Sequence, residues 1–329
     1  MKAIVYTQYG GPEVLQLKAV EKPTPGADEV LVKVHAVSIN DWDWAKLDGN
    51  SLFNRLLSGL FKPKHPILGS DIAGRIEAVG KNVSRFKTGD AVYGDLSGRW
   101  GGFAEYVCAP EMALAIKPAN MTFEEAAAIP QAAMLAVQGL IDQGGIQRGQ
   151  KLLINGAGGG VGTFALQIAQ LYGAEVTVVD HADKLDMLRS MGAAHVIDFT
   201  KEDFTKNGRR YDQILDVKTN RPIFHYLRAL NPNGAYITVG GSMSRLFQML
   251  LLKPLISMFS KKKLLIVMLK PNKDLAYMNE LFQAGQVKPV IDGHNYNLED
   301  APNAFQLFGK AGHKGKIVIS IADTKAPEA

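Results

Sequence analysis

The chain has 329 residues, 47% of them hydrophobic and 21% charged, a length and balance that suggest a globular protein of two domains. A formal net charge of +5 is too slight an excess to indicate a nucleic-acid partner, and none is expected. The single cysteine, Cys108, excludes an internal disulfide framework and a multi-cysteine zinc site, and fits a reducing, cytoplasmic setting.

The opening residues, MKAIVYTQYGG, read as a strand and lack the apolar core of a secretion signal. No uninterrupted apolar run reaches the roughly 18 residues of a membrane-spanning helix. Residues 3–6 and 30–37 are expected strands, separated by Pro23, Pro25 and Gly26. The second is followed at once by SINDWDW (38–44). There Asn40 and Asp43 alternate with Trp42 and Trp44, at a strand end where functional loops sit. Each tryptophan reads either as a core anchor or as a wall of a substrate pocket, and the pocket reading is preferred. SLFNRLLSGLF (51–61) has apolar residues at helical spacing, notably Leu52, Phe53, Leu56 and Leu57. It is either a surface helix or an apolar lid. Short strands at 72–79, within 86–94 and at 101–110, punctuated by glycines, predict a partly open β-barrel. Residues 122–139 read as helix, with Thr122 as N-cap, an acidic first turn and a break at Pro130.

KLLINGAGGGVG (151–162) is a strand running into a glycine turn, followed by an apolar helix and a second strand that closes on Asp180. Glycines let the backbone approach a pyrophosphate, and a helix N-terminus offers it free N–H groups. Ala157, Gly158, Gly159, Gly160, Val161 and Gly162 are therefore expected to bind a dinucleotide, with alanine in place of the usual first glycine. Asp180 stands where an acid bonds the ribose 2′-hydroxyl of NADH. In the same turn, His181 and Lys184 are able to meet the 2′-phosphate of NADPH, and Asp183 opposes it. Residues 185–200 read as helix then strand, 211–217 as strand, and 230–242 as a strand with a glycine-rich end. The alternation predicts a doubly wound parallel sheet.

Residues 244–270 are apolar with basic punctuation at Arg245, Lys253, Lys261, Lys262, Lys263 and Lys270, and Pro254 is expected to interrupt any helix. One reading is peripheral membrane contact. The preferred one is a pocket-lining helix followed by a terminal strand at 264–269 used for dimer pairing. An amphipathic helix at 272–285, a strand at 287–292, a helix from 298 and a closing strand near 316–319 complete the chain. Lys316 reads equally as a cofactor neighbour or a solvated surface lysine, and 323–329 as a frayed tail.

GSDIAGRIEAVG, FKTGDAVYG, GGFAEYVCAP, EEAAAIP and INGAGGGVG follow one another in an order that resembles the medium-chain dehydrogenase/reductase superfamily, on its zinc-free quinone oxidoreductase branch. The resemblance covers essentially the whole chain. It implies an α/β protein with a GroES-like catalytic domain (1–121 and 286–329) and a Rossmann domain (122–285). It also implies hydride transfer from NAD(P)H, with NADPH slightly favoured on the view that a turn acid swings outward. The acceptors would be quinones or α,β-unsaturated carbonyls, and the nicotinamide would lie in the cleft between the domains.

In the superfamily's zinc enzymes the metal ligands fall at positions matching Asn40, Ser70 and Gln131, none of them a thiolate or imidazole, so no metal is expected. Asn40 is then the expected donor to the substrate oxygen. Asp43 would orient Asn40 or the nicotinamide ribose, with Gln131 in the substrate pocket. Leu135 replaces a threonine that often faces nicotinamide, and Val239, Gly240 and Gly241 match a nicotinamide-facing loop. The resemblance further implies a homodimer. The apolar-basic stretch 244–270 is similar to one in quinone oxidoreductases of the chloroplast-envelope type. An alcohol or aldehyde dehydrogenase and a non-catalytic, membrane-associated cofactor-binding adaptor remain as alternatives.

Overall fold

In a computed structural model the described residues are 1–241 and 243–321. The tail 323–329 and the side chains of Leu52, Phe53 and Leu57 lie outside them. The chain divides into two compact units, one of residues 1–131, 271–283 and 289–329, the other of 132–270 and 284–288.

The first unit opens with β1 (Lys2–Val5), which pairs antiparallel with β2 (Gln16–Ala19). β3 (Glu29–Ser38) is the longest strand of this unit, and Val30, Val32, Val34, Ala36 and Ser38 make one side of it wholly buried. The polar-aromatic cluster after it is not a loop. Asp41 begins a helix, α1 (Asp41–Asp48), with Asn40 at its N-cap and the Asp43 carboxylate accepting from the Asn40 backbone N–H at 2.9 Å. α2 (Leu52–Ser58), β4 (Asp71–Val79), β5 (Ala91–Asp95), β6 (Tyr106–Pro110), β7 (Ala115–Ile116) and α3 (Phe123–Ala127) follow. The strand expected from 101 thus begins only at Tyr106, beyond the positive-φ pair Trp100 and Gly101. Thr122 is the N-cap of α3, as expected, with Glu125 completing a capping box, and the helix packs on β3 and β4, so it belongs with the first unit.

α4 (Pro130–Val137) starts at Pro130 and passes into a π-helical turn, Gln138–Gln143. The second unit then alternates β8 (Lys151–Asn155), α5 (Gly160–Leu171), β9 (Glu175–Asp180), α6 (Ala182–Ser190), β10 (His195–Asp198), β11 (Tyr211–Asp216), α7 (Ile223–Ala229), β12 (Leu230–Thr238), α8 (Met243–Phe259) and β13 (Lys263–Ile266). The strands form one parallel sheet in the order β10-β9-β8-β11-β12-β13. That is the doubly wound dinucleotide-binding order, with its switch point between β8 and β11. β8 and β9 are buried along all but their first residue, as strands covered on both faces require. α8 runs through Pro254, against expectation. Buried Met249 and Ile256 lie on either side of the proline, and packing on both sides holds the helix across the lost hydrogen bond.

The chain returns to the first unit with α9 (Leu275–Gln283), β14 (Tyr296–Asn297), α10 (Ala301–Gly309) and β15 (Val318–Ser320). The strand expected at 287–292 does not form; Ile291 makes only an isolated bridge to Lys316. β3 is the spine of the seven-stranded sheet. β4 pairs along one side of it, while β6 takes residues 29–33 and β15 residues 36–38 on the other. Phe305 of α10 seals the core edge-on to Phe103, with ring centres 5.4 Å apart.

Candidate active site

The first unit concentrates its buried polar groups where β3, β4, β5 and β15 end. Strand register explains the convergence. Val318 pairs with Ser38, and the ladder continues as Ile39 donates to the Ile317 carbonyl at 3.1 Å, so the next step sets Lys316 opposite Asn40. On the other side Ser38 pairs with Asp71 and Asp71 with Asp95. Directly paired residues project to the same face, so two carboxyl groups stand as neighbours across β4 and β5.

Asn40 is 5% exposed. Its Nδ2 donates to Ser70 Oγ at 3.3 Å, and its Oδ1 accepts from Lys316 Nζ. Lys316 is also 5% exposed, which excludes a solvated surface lysine. Its Nζ donates in addition to the Ile39 carbonyl at 3.0 Å and lies 3.8 Å from Asp71 Oδ2. Gln131 joins the group through its backbone N–H to Asp71 Oδ2 at 3.1 Å and its Nε2 to Ser97 Oγ at 3.4 Å.

Asp43 has no exposed surface, and its oxygens accept from the backbone N–H groups of Gly69 and Asn40, both at 2.9 Å. It braces the Asn40 and Gly69 turns together. The ribose role expected as an alternative does not suit a carboxyl closed off in this way. Burial pushes its pKa up to about 7 against those two hydrogen bonds and Lys316. Burial likewise raises Asp95, against its bonds from Ser97, and Asp71, whose Lys316 neighbour pulls the other way. The ammonium of Lys316 is pushed down by the same burial and held up chiefly by Asp71. Asp71 Oδ1 and Asp95 Oδ2 are buried without a hydrogen-bond partner.

The two tryptophans do not share the site. Trp44 packs on the first unit's core, 6.3 Å from the Phe308 ring, as a core anchor. Trp42 is half exposed on α1. In α2, Leu56 is 61% exposed, and Phe61 beyond the helix is exposed as well.

In the second unit the glycine turn follows β8. A Cβ on Gly162 would lie 2.4 Å from Ala157 Cα and 2.5 Å from the Gly156 carbonyl, so helix and turn meet only through glycine. A Cβ on Gly159 meets nothing within 4 Å, leaving open space beside the N-terminus of α5. Asp180 is not swung outward. Its Oδ2 accepts from Gly158 N–H at 2.7 Å, its Oδ1 from His181 N–H at 2.8 Å, and buried Lys184 stands 3.9 Å away. The exposed His181 imidazole pairs with Asp183 at 2.8 Å.

At the end of β12, the Gly240 carbonyl accepts from the hydroxyls of Thr219 and Thr238. Gly241 has φ +116°, and a Cβ there would collide with Thr219. Val239 and Gly240 stay partly exposed beside it. Leu135 is the one residue of α4 that is not fully buried.

Sequence reasoning thus found Asn40, Asp43, Ser70 and Gln131, which the fold brings together. It passed over Asp71 and Asp95 and left Lys316 undecided. The available signal was an aspartate opening one strand and another closing the next, with a lysine two positions before a closing strand.

Residues 26–119 match the family profile described as "Alcohol dehydrogenase GroES-like domain" and residues 191–319 the one described as "Zinc-binding dehydrogenase". The chain is 32% identical to the chloroplast envelope quinone oxidoreductase homolog of Arabidopsis thaliana, over 97% of this chain and 98% of the relative. It is 31% identical to 2-methylene-furan-3-one reductase of Solanum lycopersicum, over 97% and 79%. Among solved structures, the quinone oxidoreductase from Coxiella burnetii superposes with a TM-score of 0.88 at 26% identity, covering 98% of this chain and 99% of that one.

Proposed function

Because this chain belongs to the medium-chain dehydrogenase/reductase superfamily of nicotinamide-dependent oxidoreductases, we propose that it reduces quinones or α,β-unsaturated carbonyls with NAD(P)H and uses no catalytic metal. The observation that carries this reading is the donor set around Asn40. Zinc takes thiolate, imidazole or carboxylate ligands, and Asn40, Ser70 and Gln131 supply none. The Asn40 oxygen is already held by the Lys316 ammonium, which a zinc dication on the same oxygen would repel. Among the described residues no group of three or more His, Cys, Asp or Glu is arranged to hold a metal. The donor set at Asn40, Ser70 and Gln131 thus supports a reading without the zinc that the family description names.

Without a Lewis acid, oxidation of a simple alcohol is disfavoured, whereas a quinone or enone accepts hydride at carbon with hydrogen-bond help to its oxygen. Bound reduced nicotinamide would supply that hydride from C4. The open face at Gly159 and the start of α5 receive the pyrophosphate, and Gly162 lets the helix approach the turn. Asn40 Nδ2, which donates to Ser70 and also bears on the Asp71 carboxyl, would turn a hydrogen to the substrate oxygen as negative charge develops there. A proton from water completes the two-electron reduction. NADPH is the favoured form. The Asp180 carboxylate is committed to Gly158 and His181 and balanced by Lys184, so its charge does not stand free against a 2′-phosphate.

As for assembly, β13 is the edge of the parallel sheet, and the adjoining α8 exposes Phe247, Leu250, Leu251, Leu255, Met258 and Phe259. We take this face to pair with a second copy of the chain, the membrane surface being the competing occupant. Among the described residues no helix is long and apolar enough to cross a membrane.

The direct test is oxidation of NADPH and NADH against a panel of quinones, enones and simple alcohol–aldehyde pairs. Turnover is expected with quinones or enones, faster with NADPH and indifferent to chelators. Stoichiometric zinc whose removal abolishes activity would instead establish an alcohol dehydrogenase. Tight NADPH binding without turnover on any acceptor would establish the non-catalytic reading.

A further inference from the structure

The Asn40–Lys316 contact joins residues 276 positions apart and is closed to solvent at both ends. An ammonium has three donors and no acceptor. Those of Lys316 face the Ile39 carbonyl, Asn40 Oδ1 and Asp71 Oδ2. Only the oxygen of the Asn40 amide can meet such a group, because a flipped amide would set two buried donors against each other. Ser70 imposes no such choice, since a hydroxyl both donates and accepts. Asp43 fixes the backbone on which both Asn40 and the Gly69 turn are carried.

We propose that Lys316 is a positioning residue: anchored by Asp71, its ammonium locks the Asn40 amide with its oxygen on the lysine and its N–H groups on the opposite side, toward Ser70. It also draws electron density through the amide, so that those N–H groups bind the substrate oxygen more strongly. The inference rests on Asn40 being the oxygen's donor. The physical basis is that a charge at one end of a hydrogen-bond chain strengthens the next bond, most of all where water is excluded. The surplus of carboxyl groups favours the protonated form of this buried lysine. Asp71, Asp43, Asp41 and Asp95 all raise its affinity for the proton against burial. With its donors directed at these three acceptors, Lys316 has none aimed at a cofactor phosphate.

The experiment is a double-mutant cycle in the full chain, using NADPH and a simple cyclic enone. Asn40→Ala and Lys316→Met are each expected to lower kcat by about 10²-fold, and the double variant by no more than about the same factor. The NADPH Kd from cofactor fluorescence should stay within about twofold of the parent in every variant. Because Lys316→Met leaves Asp71 without its cation, Lys316→Met/Asp71→Asn serves as a second variant. It should melt near the parent temperature and keep the kcat loss. Independently of turnover, the Asn40 side-chain amide resonances, identified by their disappearance in Asn40→Ala, should move upfield in Lys316→Met. Losses that multiply toward about 10⁴-fold in the double variant would show that Lys316 acts apart from Asn40 and would overturn the inference. So would a weakened NADPH Kd in Lys316→Met, which would make it a cofactor contact, or amide resonances that do not move. An Asn40→Ala variant with unchanged kcat would instead remove the donor reading itself, and Lys316 positioning with it.

Discussion

Asp43 combines full burial with a carboxyl raised from 3.8 to about 7, and that pair of facts has a measurable consequence. Between those values the unfolded chain has released its proton while the folded chain keeps it. The folded state therefore binds more protons, and stability falls as pH rises through the window. Asp95, raised by burial, acts in the same direction. Asp43→Asn keeps one oxygen acceptor and cannot titrate. It should melt lower than the parent at pH 4, because one backbone N–H loses its acceptor, and its melting temperature should decline less between pH 4 and about 7. Thermal unfolding over that range is the measurement, and parallel curves for the two proteins would show that Asp43 titrates elsewhere. The paired carboxyls of Asp71 and Asp95 belong to the same argument. Like groups directly opposite on adjacent strands are unfavourable, and two of their oxygens lack partners, so this row of the sheet is built for electrostatics at some expense in stability.

At the scale of elements, the glycine turn with α5 and the pair α8–β13 make opposite demands. α5 must come as close as possible to the turn. Gly162→Ala would place a methyl group 2.4 Å from Ala157 Cα, so the helix start has to move away. The variant should bind NADPH at least about tenfold more weakly in a fluorescence titration and also melt lower. A change in melting temperature with unaltered affinity would place the nucleotide elsewhere. α8 has the contrary character. Leu251 and Phe259 are 79% and 80% exposed, while Lys253, Lys261 and Lys263 lie exposed on or beside the same helix. Lys262 is different, because its amine donates to the Leu227 carbonyl at the end of α7 and so holds the helix in place. The informative variant is therefore Leu251→Glu/Phe259→Glu with Lys262 retained. If the face receives a second copy, sedimentation should show a dimer in the parent and a monomer in the variant. A monomeric parent that pellets with anionic vesicles, and a variant that does not, would assign the face to a lipid surface.

Across the whole molecule, the parts legible in the sequence are those with local periodicity. The alternation of strands and helices from Lys151 onward announces a parallel sheet, and its order follows. Local pattern and structure part at Pro254, where packing of Met249 and Ile256 on either side carries the helix through, and at 287–292, where Ile291 makes only an isolated bridge. The site divides in the same way. Asn40, Ser70 and Gln131 could be named because the metal-ligand positions of the superfamily's zinc enzymes fall on them. Asp71 and Asp95 could not, and Lys316 stayed undecided, because what makes them special is register between strands far apart in sequence. A lysine before a closing strand looks solvated until the pairing of Val318 with Ser38 sets it against Asn40.

That pairing also governs when the site can exist during synthesis. With Asn40 and Lys316 276 positions apart, a ribosome working at roughly 5–20 residues per second adds the lysine about 14–55 s after the asparagine. For most of that interval, from the addition of Asp95 onward, Asp43, Asp71 and Asp95 have been made but Lys316 has not, so the buried acidic row lacks its cation. Residues 132–270 are completed within the same interval, which lets the nucleotide-binding sheet fold first. A nascent chain is therefore expected to acquire affinity for the dinucleotide before it can reduce anything, with the last step of maturation being the arrival of a single lysine.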